Sequence, residues 1–229
     1  MRNSRPTTRA DVDARVGGVA LLGRAIHYAL GCLSLVTPGD LDRPTPCEGW
    51  DLQALLAHAN DSFAALTEAA AFGHVALVPP LNNDGHGHDC CDGHDGGDGG
   101  HGGHGGGGGG GDDDGGLRNR ATSLLRAWAR STDVMVTVGG CPLTAAMVSA
   151  VGAVEVAVHA WDVARTCGHR RPIPEDVAAE LLPLARLFVT DADRPARFAV
   201  PLNAAPRATA QDRLLAYLGR DPHWADNRK

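Results

Sequence analysis

Aromatic residues make up only 4% of this chain, and runs of alternating Val, Ile or Thr are almost absent, so little in it favours a sheet. No stretch of about 18 uninterrupted apolar residues occurs, which argues against a membrane span and against the membrane as a partner. The charged N-terminus is followed by no apolar segment of signal-peptide form, and the chain is therefore expected to be cytoplasmic. No basic stripe interleaved with aromatics is present, which excludes nucleic acid as the expected partner. The six cysteines (Cys32, Cys47, Cys90, Cys91, Cys141 and Cys167) form no secreted framework, and the adjacent Cys90 and Cys91 suit thiol or metal chemistry better than a structural disulfide.

What is present points to helices. With 229 residues, 43% of them hydrophobic and dominated by Ala and Leu, the chain can bury one good core. A single all-α domain over residues 8–222 is expected, as a monomer or a homodimer. Residues 82–116 interrupt it. This insertion holds 18 of the 30 glycines, eight aspartates, five histidines (His86, His88, His94, His101, His104) and Cys90–Cys91. So little apolar surface cannot offset the ordering entropy, so the loop is expected to be disordered. Its aspartates more than account for the formal net charge of −6, leaving the folded body near neutral. Such a tract is either a low-complexity spacer or a flexible binder of Zn, Ni, Co or Cu that buffers ions or passes them on.

Apolar residues at helical spacing predict a first helix over residues 9–36, ended by Pro38-Gly39. After a turn-rich connector, Asp51 is placed to cap a second helix over residues 52–72, which carries His58. A third is predicted over residues 117–137 and a fourth from about Leu143 to Gly168, separated by Gly139-Gly140-Cys-Pro142. Residues 174–191 and 211–219 read as shorter helices bracing a four-helix bundle.

The fourth helix contains an unusual pair. Glu155 and His159 interrupt the apolar run Met147–Ala164, and an i, i+4 spacing turns them only about 40° apart on one helix face. An unpaired carboxylate among Val and Ala is costly, whereas one that binds a cation or accepts a charged hydrogen bond is not. Asp162, three residues on, shares the stripe. It reads as an orienter of an imidazole N–H, as a catalytic base, or as an ion-pair partner of Arg165 or of a neighbouring helix. Trp50 and Trp161 read first as core or cap residues and second as pocket walls. His27 is a reserve ligand only, and Cys47 and Cys167 flank the pair as small buried hydrophobes before they count as redox partners.

Three segments carry a resemblance. Thr45-Pro-Cys-Glu-Gly-Trp-Asp-Leu-Gln-Ala-Leu-Leu-Ala-His58, Val154-Glu-Val-Ala-Val-His-Ala-Trp-Asp-Val-Ala-Arg165 and Gln211-Asp-Arg-Leu-Leu-Ala-Tyr-Leu-Gly-Arg-Asp-Pro222 resemble the signatures of actinobacterial metal-binding proteins of the DinB-like superfamily, alongside mycothiol-dependent maleylpyruvate isomerase. The resemblance implies a DinB-like four-helix bundle with a short C-terminal helical extension. It also implies a metal set of His58, Glu155 and His159, because the isomerase holds zinc with one His from helix two and a Glu-x-x-x-His pair from a later helix. The segment after helix four is shorter than the separate C-terminal domain of the isomerase, so maleylpyruvate is not carried over as substrate.

Two imidazoles and one carboxylate leave a fourth position open, the catalytic rather than the structural zinc pattern. A thiol bound there would lose its proton near neutral pH and become a nucleophile. The expected function is therefore a thiol-dependent transferase or isomerase. Its cofactor is a divalent metal (zinc before Ni2+ or others), its thiol resembles mycothiol, and its partner is a small-molecule electrophile. The alternative is a non-catalytic metal-binding or metal-buffering protein using the bundle site and the His-rich loop.

Overall fold

A computed structural model describes residues 8–76, 113–195 and 197–225. Most of the insertion, with the disorder and metal binding expected of it, lies outside the described residues. The order is α1 (Arg9–Leu33), α2 (Leu52–Phe72), β1 (His74–Val75), α3 (Asp113–Arg130), β2 (Met135–Val138), β3 (Cys141–Thr144), α4 (Ala145–Thr166), α5 (Glu175–Phe188) and α6 (Ala210–Tyr217), with short 3-10 turns at Pro38–Asp40 and Asp191–Asp193. The protein is an all-α bundle, as its composition predicts.

Helix ends follow local chemistry. Thr8 caps α1 through a capping box with Asp11. Asp51 caps α2 as expected, its carboxylate accepting from Ala54 N at 2.8 Å. Helix α2 ends on Gly73 at φ 66°, and α4 begins on the Thr144 cap.

Two expectations are corrected between α2 and α4. The third helix does not reach residue 137. It stops at Arg130, and Met135–Val138 pairs with Cys141–Thr144 as an antiparallel hairpin, while β1 adds to β2 in parallel. Val136, Thr137 and Val138 are β-branched, and the intervening Gly139 and Gly140 both take positive φ (55° and 82°), as a tight two-residue hairpin turn requires. The helix also starts earlier than residue 117, taking in residues 113–116 from the end of the insertion. Aspartates are residue types favoured at a helix N-terminus.

Helix α4 is the axis of the molecule. It packs most extensively on α1, then on α2 and α5. Helices α1 and α4 lie side by side in the same direction, Gly18 against Ser149 and Gly31 against Arg171. On the other flank, a Cβ at Gly152 would meet Leu66 at 2.7 Å, so the glycine sets how closely α2 approaches α4 one turn before Glu155. Both α1 and α4 are long and apolar enough to cross a membrane by length and composition, but 78% of the apolar window of α4 is buried within the fold, as for a core helix.

The main core joins Leu22, Ile26, Leu124, Trp128, Ala157, Leu181 and Leu214 across five helices. Burying each Leu or Ile side chain contributes about 1.5–3 kcal/mol before entropy is counted. Trp128 satisfies its indole by donating from Nε1 to Leu66 O at 3.1 Å, tying α3 to α2. A smaller cluster of Leu52, Leu55 and Val163, flanked by Trp50 and Cys167, closes the bundle beside the polar residues described next.

Candidate metal centre

His58 on α2 reaches across to α4, where its Nε2 lies 2.5 Å from Glu155 Oε1. The same oxygen lies 3.3 Å from His159 Nε2 and accepts from Ser62 Oγ at 3.2 Å. Three potential ligand atoms, one each from His58, Glu155 and His159, thus fall within 4.8 Å of one another. No other group of three or more His, Cys, Asp or Glu side chains converges in this way among the described residues. His27 is elsewhere, exposed on α1 with its Nδ1 donating to Gly23 O at 2.7 Å.

Behind the cluster lies a buried relay. His159 Nδ1 donates to Asp162 Oδ2 at 3.0 Å, and the same oxygen accepts from Arg220 NH2 at 3.2 Å. Asp162 is fully buried, and its second oxygen, Oδ1, has no hydrogen-bond partner. Of the readings open from the sequence, the ion pair with a neighbouring element and the orienting bond to an imidazole are both present. Arg165 is not the partner; its NH2 donates to Trp224 O instead. Because Asp162 accepts a hydrogen bond from Nδ1–H, it fixes the ring of His159 with its Nε2 edge toward Glu155 and His58.

The charges in this chain of contacts are strongly coupled. Burial pushes Glu155 toward its neutral form, but hydrogen bonds from His159 and His58 win and hold its carboxyl well below the usual range. Burial pushes His159 the other way, yet Asp162 and Glu155 raise its pKa to about 9. Asp162, penalised by burial, is kept ionised chiefly by the Arg220 charge and the bond from His159. Without an ion, a protonated His159 bridging two carboxylates is the favoured arrangement.

Trp50 forms one wall, its ring edge-on to His58 at 4.9 Å and stacked on His159 at 6.2 Å between centroids. The pocket-wall reading of this residue is the one the geometry supports. Cys47 is half-buried and accepts from Arg220 NH2 at 3.7 Å; burial raises its thiol pKa, with Arg220 opposing. Cys167 packs with Leu52, Leu55 and Val163.

Sequence reasoning did not find Arg220 or Ser62. Ser62 is four residues after His58 on α2, so helical spacing offered a signal. Arg220 stands in the third quoted motif, but nothing in its neighbourhood along the chain names Asp162 as its partner. Gly219 delivers it, taking φ 79° with its Cα packed so tightly on Ala199 that a Cβ would lie 2.6 Å from that side chain.

Cavities open on two sides of Glu155 and His159. One is walled by Ala29, Leu33, Phe63 and Val163, the other by Val151, Phe188, Phe198 and Arg220. A larger pocket of about 1020 Å³, open to solvent, shares Leu218 and Arg220 with the second and adds Cys47, Trp50 and Arg197.

The residues fit a divalent cation. Ligands about 2.0–2.1 Å from a tetrahedral centre sit roughly 3.3 Å apart, close to the His159–Glu155 separation of 3.3 Å. Two imidazole nitrogens and a carboxylate oxygen, one imidazole backed by a carboxylate, make a borderline donor set that suits zinc. No curated protein and no solved structure matches the chain. A family profile does: the mycothiol maleylpyruvate isomerase N-terminal domain matches residues 22–164, from within α1 through the Glu155–His159 pair into the last turn of α4. Spanning more than half the sequence and both helices that carry the cluster, this match makes the chain a member of the mycothiol maleylpyruvate isomerase N-terminal domain family, built as a DinB-like helical bundle.

Proposed function

We propose that this protein is a cytoplasmic, thiol-dependent transferase or isomerase whose zinc ion is held by His58, Glu155 and His159, within one domain spanning residues 8–222. The observation that carries the reading is the convergence of those three side chains within 4.8 Å beside open cavities. A dication bound there supplies Lewis acidity, lowering the pKa of a thiol at its remaining position. Asp162 acts as a positioning residue, holding the Nδ1 proton of His159 while Arg220 keeps Asp162 ionised. Trp50 and the aliphatic wall exclude water from the nucleophile. The thiol is a low-molecular-weight one resembling mycothiol, and its partner is a small electrophile entering by the pocket of Cys47, Trp50 and Arg197.

Metal content and thiol transfer to an electrophile, measured on the wild type beside His159→Ala and Glu155→Ala, test this. About one ion per chain is expected in the wild type. Each substitution is expected to lower metal affinity well over tenfold and to remove thiol transfer, while helix content survives. Wild-type protein that binds no ion after gentle purification would overturn it.

A second reading is a non-catalytic metal-binding protein. Apart from Ser62, Glu155 and His159, the cavity walled by Ala29, Leu33 and Val163 is lined by apolar side chains that offer a polar substrate no anchoring group, which favours it. Full metal occupancy with no thiol transfer to any of a panel of electrophiles would decide for it.

A further inference from the structure

A second cleft lies on the opposite face of α4. Trp161 and Arg165 point away from Glu155 and His159, since a step of two residues turns a helix about 200°. With Arg170, Arg171, Pro172, Gln211, Pro222 and His223 they line a concavity of about 730 Å³ including its mouth. That is the size of a small-molecule site. Its walls are the C-terminal end of α4, the segment after it, the start of α6 and the C-terminal stretch.

Three arginines converge there, and none forms an ion pair with a carboxylate among the described residues. Arg165 lies with its guanidinium carbon 5.8 Å from the Trp161 ring centroid, and its Nε is buried without a hydrogen-bond partner. Burial and the nearby charge of Arg170 both disfavour its cation, with only Asp221 acting in the opposite direction. Asp221 itself accepts from His223 N at 2.8 Å. Arg171 packs its guanidinium directly on the backbone of Gly31, where any Cβ would collide with it. Gln211 is anchored through Oε1, which accepts from Ile173 N at 2.7 Å. Cations crowded in a concavity, with a donor left orphaned, are stabilised by an anion between them.

We propose that this cleft binds the oxyanion group of a small molecule, a phosphate or a cluster of carboxylates, at a site separate from the metal centre. Arg170 and Arg171 supply the forked donors, and Arg165, braced on Trp161, supplies charge from below. A concave site on an otherwise near-neutral body fits a small ligand, whereas a polyanionic polymer requires an extended basic face.

The test titrates the full-length protein calorimetrically with inorganic phosphate and, in a second arm, with citrate. Saturable binding of one anion per chain is expected. It should weaken at least tenfold in Arg170→Glu and in Arg171→Glu, stay within twofold in the equally charge-reversed surface variant Arg207→Glu, and persist in His159→Ala. Tighter phosphate binding assigns a phosphorylated ligand, and tighter citrate binding a polycarboxylate. Equal losses in all three charge reversals, loss of binding in His159→Ala, or no saturable binding of either probe would overturn the proposal. So would tight binding of a heparin chain with neither small anion bound. Circular dichroism of the two cleft variants, both at exposed positions, verifies that they are folded.

Discussion

At the scale of single residues, the decisive feature is which proton sits on which ring nitrogen. Asp162 Oδ2 holds the Nδ1 proton of His159, so removing its charge should weaken the ligand without touching a ligating atom. Asp162→Asn is expected to lower zinc affinity roughly 10–100-fold, read by competition with a chromophoric chelator. Unchanged affinity would mean that His159 is oriented by packing alone. The same contacts set a pH dependence. The folded pKa of His159, about 9, lies above its unfolded value near 6.5, so its contribution to metal-free stability is full below about 6.5 and is lost as pH rises toward 9. Glu155 and Asp162 are depressed, so theirs is present above the ordinary carboxylate range near 4 and is lost as pH falls below it. A metal ion needs the neutral imidazole. The gap in Tm between zinc-loaded and metal-free protein should therefore widen from pH 6.5 to 9, as seen by scanning calorimetry; a gap that narrows would contradict the assignment of His159 as ligand.

At the scale of elements, the site depends on how closely chain segments approach. Gly219 combines φ 79° with a Cβ position 2.6 Å from the Ala199 side chain and 2.9 Å from its backbone. Gly219→Ala should cost at least about 2 kcal/mol in urea unfolding, through left-handed strain and displacement of the segment that presents Arg220. Loss of less than half that figure would show that the segment moves freely. The hairpin between α3 and α4 belongs to this scale too. Helical spacing reads through residues 131–137, but two consecutive glycines at positive φ and a β-branched triplet make a tight turn with paired strands the better local solution. Periodicity is a weak guide where short segments satisfy both patterns.

For the whole molecule, the bundle brings together residues 97 positions apart, and it is the pairing of α2 with α4 that turns a Glu-x-x-x-His pair into a cluster of three potential ligands. The glycine-rich insertion lies in sequence between β1 and α3, and the cluster is assembled from described residues of α2 and α4. Deleting residues 82–112 is expected to leave one tightly bound ion per chain and remove only weaker ones, as counted by equilibrium dialysis with zinc. Loss of the tight ion would place the principal metal site in the insertion.

The fold class, the cap at Asp51, helix two to the residue and the pair on α4 were legible in the order of residues, because helix formation, capping and i, i+4 proximity are local. So was the isolation of Glu155 in an apolar run. That His58 meets this pair was carried by family likeness and not by spacing, since no local rule relates two helices. Arg220 beneath Asp162, Ser62 on Glu155, Trp50 against both imidazoles and the cluster of Arg165, Arg170 and Arg171 were decided only by tertiary packing. The physical reason is the range of the forces: hydrogen bonds and ion pairs act over a few ångströms of space, and only the packed core decides which distant residues come within that reach.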